Sequence, residues 1–449
     1  MKRVCSILLI SILFTFSLYS QLSPLRSGPM VGYGQMTEIM LWVQTIKPST
    51  VQYQYWESAN PKLKMKSVPV KALEENSFIA KTAIAGLQPG KKFEFELMID
   101  GKVVKRNYPL RFQTQPLWQW RTDPPDFSVA FGSCAYVNEP EVDRPGKPYG
   151  SDYGIFNTIA SKSPDLFIWG GDNTYLREVD WDSRSGIIHR YTHTREIPEM
   201  QALLGSTHNY ATWDDHDFGP NNADRTNRLK DVSLDVFKLF WANQTYGTDE
   251  TKGVFGRFLW GDVEFFLLDD RYHRSPNDAP DDNKKTMFGT EQLQWLKDCL
   301  TNSSAPFKFV VNGNQVLNAN GNYYEAMTQF TSEYQEMVSF IKKNNISGVM
   351  FLSGDRHLTE LVVHNDSTFY PLYDFTSSAL TSGMNSEISE KELKSSSRVE
   401  GTLVNDAHNF GMLRFTGHGK DRAVTMECYD LTGALRWSKT IKANELRAK

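Results

Sequence analysis

The chain has 449 residues, 40% hydrophobic and 23% charged, with 27 Phe, 19 Tyr and 11 Trp. That supplies ample apolar area, excludes a disordered chain, and is too long for one ordinary core. A formal net charge of −4 with no long basic block leaves no electrostatic footprint for nucleic acid.

Residues 1–21, "MKRVCSILLISILFTFSLYSQ", set Lys2 and Arg3 before an apolar stretch from Ile7 to Tyr19. The stretch is shorter than the roughly 20 residues a spanning helix needs, so residues 1–20 read as a secretory signal peptide. The expectation is a secreted protein, periplasmic or extracellular, with no stable membrane span once the signal is removed. Cys134, Cys299 and Cys428 remain, an odd number that leaves at least one thiol unpaired.

From Leu25 to Thr114 the chain alternates with period two in "TEIMLWV", "VQYQYW", "SVPVKAL", "FIAKTAI" and "KFEFELMI", broken by the turn signals "QPGK" and "DGK". This predicts an all-β sandwich over residues 22–115. The stretch "AGLQPGKKFEFELMIDG" resembles the turn-and-strand region of a fibronectin type III domain. "QPLWQWRTDPP", rich in Pro and Trp, reads as the connector.

After Asp126, apolar strands alternate with helical stretches at "YGIFNTIASKS", "SLDVFKLFWANQ", "TEQLQWLKDCL" and "SEYQEMVSFIKKN", which predicts a layered α/β domain over residues 126–443. "NFGMLRFTG", "AVTMECYDLTG" and "LRWSKTI" read as its closing strands. Six strands stop on polar clusters: "FSVAFGSC", "DLFIWGGD", "YATWDDHD", "VEFFLLDDR", "FKFVVNGNQ" and "GVMFLSGDRH". Ligands of open α/β sheets bind beyond the carboxyl ends of strands. A single acid there is ordinarily a turn former or helix cap. Asp172, Asp214, Asp215, Asp217, Asp269, Asp270 and Asp355 gathered at one edge would repel one another, and multivalent cations are the natural remedy. Gly171 and Gly354 would let the backbone approach a ligand closely.

These ordered motifs resemble the binuclear metallophosphoesterases and, within them, the PhoD-type alkaline phosphatases, over roughly residues 127–382. The resemblance implies a sheet sandwich flanked by helices, hydrolysing small-molecule phosphate esters with a metal-activated hydroxide. It implies metal ligation by Cys134, Asp172, Tyr175, Asp215, Asn314, Asp355 and His357, with Asp172 bridging. "GSC" replaces the superfamily's usual Asp-x-His, and "VVNGNQ" offers only Asn312, Asn314 and Gln315 where a His is usual. Thiolate, phenolate and imidazole suit ferric iron, while carboxylate and amide oxygens suit calcium; the resemblance implies that same pair. His216 is the expected proton donor to substrate. Arg271 is a further catalytic candidate, with Asn222 and Arg274 as substrate contacts. Arg190 and Arg195 are weaker phosphate-clamp candidates, and any of these arginines could instead be paired with an acid.

A phosphodiesterase or phospholipase of the same family is the alternative within the class, and a calcium-dependent binding protein with a decayed hydrolase domain the alternative outside it. His189 and His193 have the spacing of a helix-borne zinc pair, but Arg190 stands where a metalloprotease needs Glu. No G-x-S-x-G elbow or P-loop pattern is present.

Overall fold

The computed structural model describes residues 23–318, 325–385 and 388–448; the signal-peptide expectation for residues 1–20 lies outside them. The fold is mixed α/β, built on two large sheets. In the first, Phe127–Gly132, Leu166–Gly170 and His208–Thr212 run parallel, and Asn409–Thr416, Ala423–Asp430 and Leu435–Lys442 extend it antiparallel. In the second, Val263–Leu267, Phe307–Asn312, Val349–Ser353 and Leu372–Ser377 are parallel, with Gly256–Trp260 and Thr359–His364 antiparallel at the edges.

The sheets meet face to face over one apolar core. Phe415 of the first packs on Phe265, Phe307 and Phe309 of the second, at ring-centroid distances of 6.3, 5.9 and 5.7 Å. Parallel strands covered on both faces need apolar side chains throughout, which is why "LFIWG" and "VMFLS" are buried at every position. All the parallel strands therefore deliver their carboxyl ends, and the polar residues that follow, to one edge.

The four helices expected from apolar spacing form at Gly154–Ser161, Lys230–Phe240, Thr290–Asn302 and Thr331–Lys343. Two more lie at Arg184–Arg195 and Pro198–Ser206. The first buries Arg190 and Arg195 along with Ile187 and Tyr191. Arg190 pairs with Asp180 at 2.8 Å and Glu139 at 2.7 Å, and Arg195 lies 4.0 Å over the Trp241 ring. Both guanidiniums are buried and help to anchor the helix.

The N-terminal strand-rich region holds a relationship the sequence did not suggest. Leu25–Gly34, interrupted by Gly and Pro, is a strand whose Val31 pairs with His208, so that it, Glu38–Thr45 and Ile79–Ala85 continue the first large sheet to nine strands. The facing sheet is built on Ser49–Glu57 and Lys92–Ile99. His208 Nδ1 lies 2.8 Å from the Gly32 carbonyl, and its Nε2 accepts the Gln113 N–H at 3.2 Å. One buried imidazole thus binds both N-terminal layers to the larger fold.

Candidate metal centre

The loops after four strands converge: Phe127–Gly132, Leu166–Gly170, His208–Thr212 and Val349–Ser353. After Phe127–Gly132 the chain turns at Cys134, after Leu166–Gly170 at Asp172, and after Val349–Ser353 at Asp355 and His357. All four residues adopt left-handed backbone, with φ of 64°, 51°, 68° and 54°. Such a conformation costs a non-glycine residue on the order of 1–2 kcal/mol. Four in one place mark a site whose side-chain directions outrank local backbone preference. Gly171, with φ of 97°, lies so close to the next loop that a Cβ would sit 2.8 Å from that of Asp214; at Gly354 a Cβ would meet Ser133 Oγ at 2.5 Å.

Cys134, Asp172 and His357 each present a ligand atom within 4.8 Å of the others, and Asp172, Asp215 and His216 do the same. Asp172 belongs to both groups. The Cys134 thiol points at Asp172 Oδ2, 3.8 Å away, and the Tyr175 hydroxyl lies 3.2 Å from His357 Nε2. Asp215 accepts the Asn222 backbone N–H at 2.6 Å, which places the left-handed Asn222 at the rim.

The electrostatics are those of a site short of positive charge. Burial, then the charges of Asp215 and Asp214, push the Asp172 carboxyl well above the usual range. Burial, then Asp215, raises Asp355 to about 6. Burial and Asp172 push Cys134 and Tyr175 well up, and burial and His216 push His357 down to about 4. Asp215 goes the other way: burial opposes its charge, but His216, Arg271 and the Asn222 N–H hold it below the usual range. Asp355 Oδ2 and His216 Nδ1 are buried with no hydrogen-bond partner among the described residues. A thiol, a phenol, two imidazoles and three carboxyls, with donor atoms unmet, fit multivalent cations that would take the place of protons.

Not every strand-end acid belongs to this centre. Asp269 is a turn former that accepts Trp213 Nε1 at 2.8 Å and the Arg271, Tyr272 and Val254 N–H groups. Asp217 completes a capping box with Asp214. Asp214 and Asp270 are answered by arginine. Arg271 Nε donates to Asp214 at 2.5 Å, its Nη1 to Glu325 at 3.2 Å, and Asp270 lies 3.9 Å away.

Arg271 and Arg274, the expected substrate-facing groups, are buried and acid-paired in the structure: both side chains are 0% exposed. Asn314, expected as a metal ligand, lies beside them. Its amide oxygen accepts from Arg271 at 3.2 Å and Arg274 at 3.0 Å, and its nitrogen donates to Asp214 at 3.1 Å, so its oxygen lone pairs are engaged by guanidinium. Gln315 is likewise consumed, between Glu360, Thr376, Arg356 and Asn318. His189 sits apart, 3.0 Å from Glu139.

Sequence reasoning missed the aromatic wall beside the centre. The Tyr149 hydroxyl lies 3.0 Å from His357 Nδ1, and the Tyr136 and Tyr175 rings are 5.0 Å apart. The only signal was the tyrosines of "AYVNEPEVDRPGKPYG", in a loop without periodicity.

Two facing mixed sheets with a carboxylate shared between two ligand groups at their common edge define a metallophosphatase-type fold. The chain belongs to the PhoD-like phosphatase family, whose profile matches residues 129–427; residues 22–117 match a domain of unknown function, DUF7800. It is 23% identical over 363 residues to alkaline phosphatase D of Bacillus subtilis (strain 168), covering 66% of this chain and 60% of that protein. The fold is similar to that in a structure of PhoD, with a TM-score of 0.74 at 16% identity over 93% of this chain and 92% of that one. A purple acid phosphatase from yellow lupin (Lupinus luteus) seeds shares it with a TM-score of 0.66 at 12% identity, over 93% and 74%.

Proposed function

We propose that the chain is a secreted phosphoric ester hydrolase of the alkaline phosphatase type, holding ferric iron and calcium. The observation that carries the reading is the double membership of Asp172, in the Cys134–His357 group and in the Asp215–His216 group. A carboxylate between two donor sets is what a pair of cations requires. Cys134, Tyr175, His357 and Asp172 would hold the iron, and Asp172, Asp215 and Asp355 the calcium.

Bound cations supply positive charge to phosphate oxygens and acidify the attacking water. The chain does the rest. Tyr149 orients the His357 imidazole from Nδ1, and the Tyr175 hydroxyl faces the Nε2 that would take the cation. Asn222 holds Asp215 by its backbone N–H. His216, half-buried, has its basicity lowered by burial while the Asp215 charge pulls it back up, and it stands at the mouth to exchange a proton with the ester. Arg271 and Arg274 compensate the acids behind the site.

Among the described residues no helix is long and apolar enough to cross a membrane. Secretion rests on residues 1–20. The test is the mature protein, loaded with iron and calcium, against a panel of phosphate monoesters and diesters. Phosphate release that a calcium-selective chelator abolishes and added calcium restores is expected; hydrolysis indifferent to both metals would overturn the assignment.

A further inference from the structure

A cavity of about 240 Å³ opens beside the centre, lined by Tyr175 and His216 of the centre together with Tyr136, Tyr149 and Trp181. Its aromatic wall is built in advance. Tyr136 and Tyr149 meet edge to face at 4.9 Å. Arg177 lies 3.8 Å over the Tyr136 ring, and donates to Asp143 at 2.8 Å and to the Val137 carbonyl at 2.7 Å. The Tyr136 hydroxyl donates to the same Asp143 at 2.9 Å. These bonds clamp the 136–143 loop against the 175–180 loop, so little ordering is left to do on binding.

Three features describe the occupant. The walls are edges and faces of aromatic rings, which favour another ring. The indole Nε1 of Trp181 is buried with no hydrogen-bond partner among the described residues, a donor left unmet at real cost. At the rim, Arg144 reaches only a long, exposed contact with Glu178 at 3.8 Å, and Lys147 lines the opening. The volume of about 240 Å³ accommodates one substituted ring.

We propose that this pocket is a subsite for the ester group of the substrate, taking a single aromatic ring with a hydrogen-bond acceptor, favourably anionic, on the edge remote from the phosphorus. The proposal rests on the phosphoesterase reading and deepens it. Tyr175 and His216 form the border between the two, so a phosphoryl group at the centre would direct its substituent into the ring pocket.

The test is calorimetric binding to the metal-loaded protein of three non-hydrolysable phosphonates: methyl, benzyl, and 4-carboxybenzyl. The benzyl compound should bind about tenfold more tightly than the methyl, the weight of ring packing in an aromatic wall. The carboxylate should add a further several-fold. Trp181→Phe should preserve the benzyl-to-methyl ratio and lose the carboxylate increment, and Lys147→Ala should reduce that increment. Benzyl and methyl affinities equal within about twofold would overturn the subsite, as would an increment untouched by Trp181→Phe. Either result with ester hydrolysis intact would leave the phosphoesterase reading standing. Failure of all three phosphonates together with absent hydrolysis would overturn both.

Discussion

The Tyr149 hydroxyl lies 3.0 Å from Nδ1 of His357, while the Tyr175 hydroxyl lies 3.2 Å from its Nε2. An imidazole that donates from Nδ1 keeps its Nε2 lone pair for a cation, and such outer partners set both tautomer and ring orientation. Tyr149→Phe should therefore weaken metal binding about tenfold or more without emptying the site. His357→Ala should empty the thiolate-bearing half. Metal content after dialysis against graded chelator measures both, and unchanged retention in Tyr149→Phe would remove the tyrosine from this role.

If Cys134 and Tyr175 both ligate ferric iron, charge transfer from thiolate and phenolate will colour the protein. Tyr175→Phe should shift the visible band, and Cys134→Ser should weaken or abolish it, with activity reduced in both. The alternative of an inert core thiol and a packed tyrosine predicts no colour and only lost stability. A colourless, fully active protein with negligible iron would sink the iron assignment.

The roles of two centre residues separate by metal analysis. Asp355→Asn should lose metal and activity together. His216→Ala should retain metal and lose rate by about 10²–10⁴-fold, the range of a general acid. A His216→Ala protein without metal would make His216 a ligand, in keeping with its place beside Asp172 and Asp215.

Arg271 is fully buried among Asp214, Glu325 and Asp270. Arg271→Met would strand those carboxylates, a change that costs about 3–5 kcal/mol when a buried pair loses one partner. Denaturant unfolding should show that loss. A variant of unchanged stability whose KM alone rises would restore the clamp role.

His208 couples the N-terminal strands to the larger sheet and ties stability to pH. Burial pushes its imidazole down to about 4, against about 6.5 when unfolded. Between those values the unfolded chain binds the extra proton and the folded chain does not, so stability falls as pH falls. The contribution is complete above about pH 6.5 and declines by about 3 kcal/mol by pH 4. His208→Gln should lower stability at neutral pH and flatten this part of the profile. Parallel wild-type and variant curves across the window would rule His208 out as the cause.

What was legible in the sequence is what the chain decides locally. Strands covered on both faces must be apolar throughout, so "LFIWG" and "VMFLS" announced themselves, and with them the polar turns holding Cys134, Asp172, Asp355 and His357. The layered α/β architecture followed from the same alternation of strands and helices. The tertiary structure alone decided which acids await a cation and which already have a partner. Asp172 and Asp214 end neighbouring parallel strands in similar company, yet Arg271, far along the chain on the other sheet, answers only Asp214 and takes Asn314 with it. It also decided that Leu25–Gly34 joins the large sheet and that Tyr149 reaches His357. Strand pattern is a near-neighbour property, set by which faces of the sheet are covered. Charge compensation is set by whatever the fold brings within a few ångströms, and no local pattern encodes it.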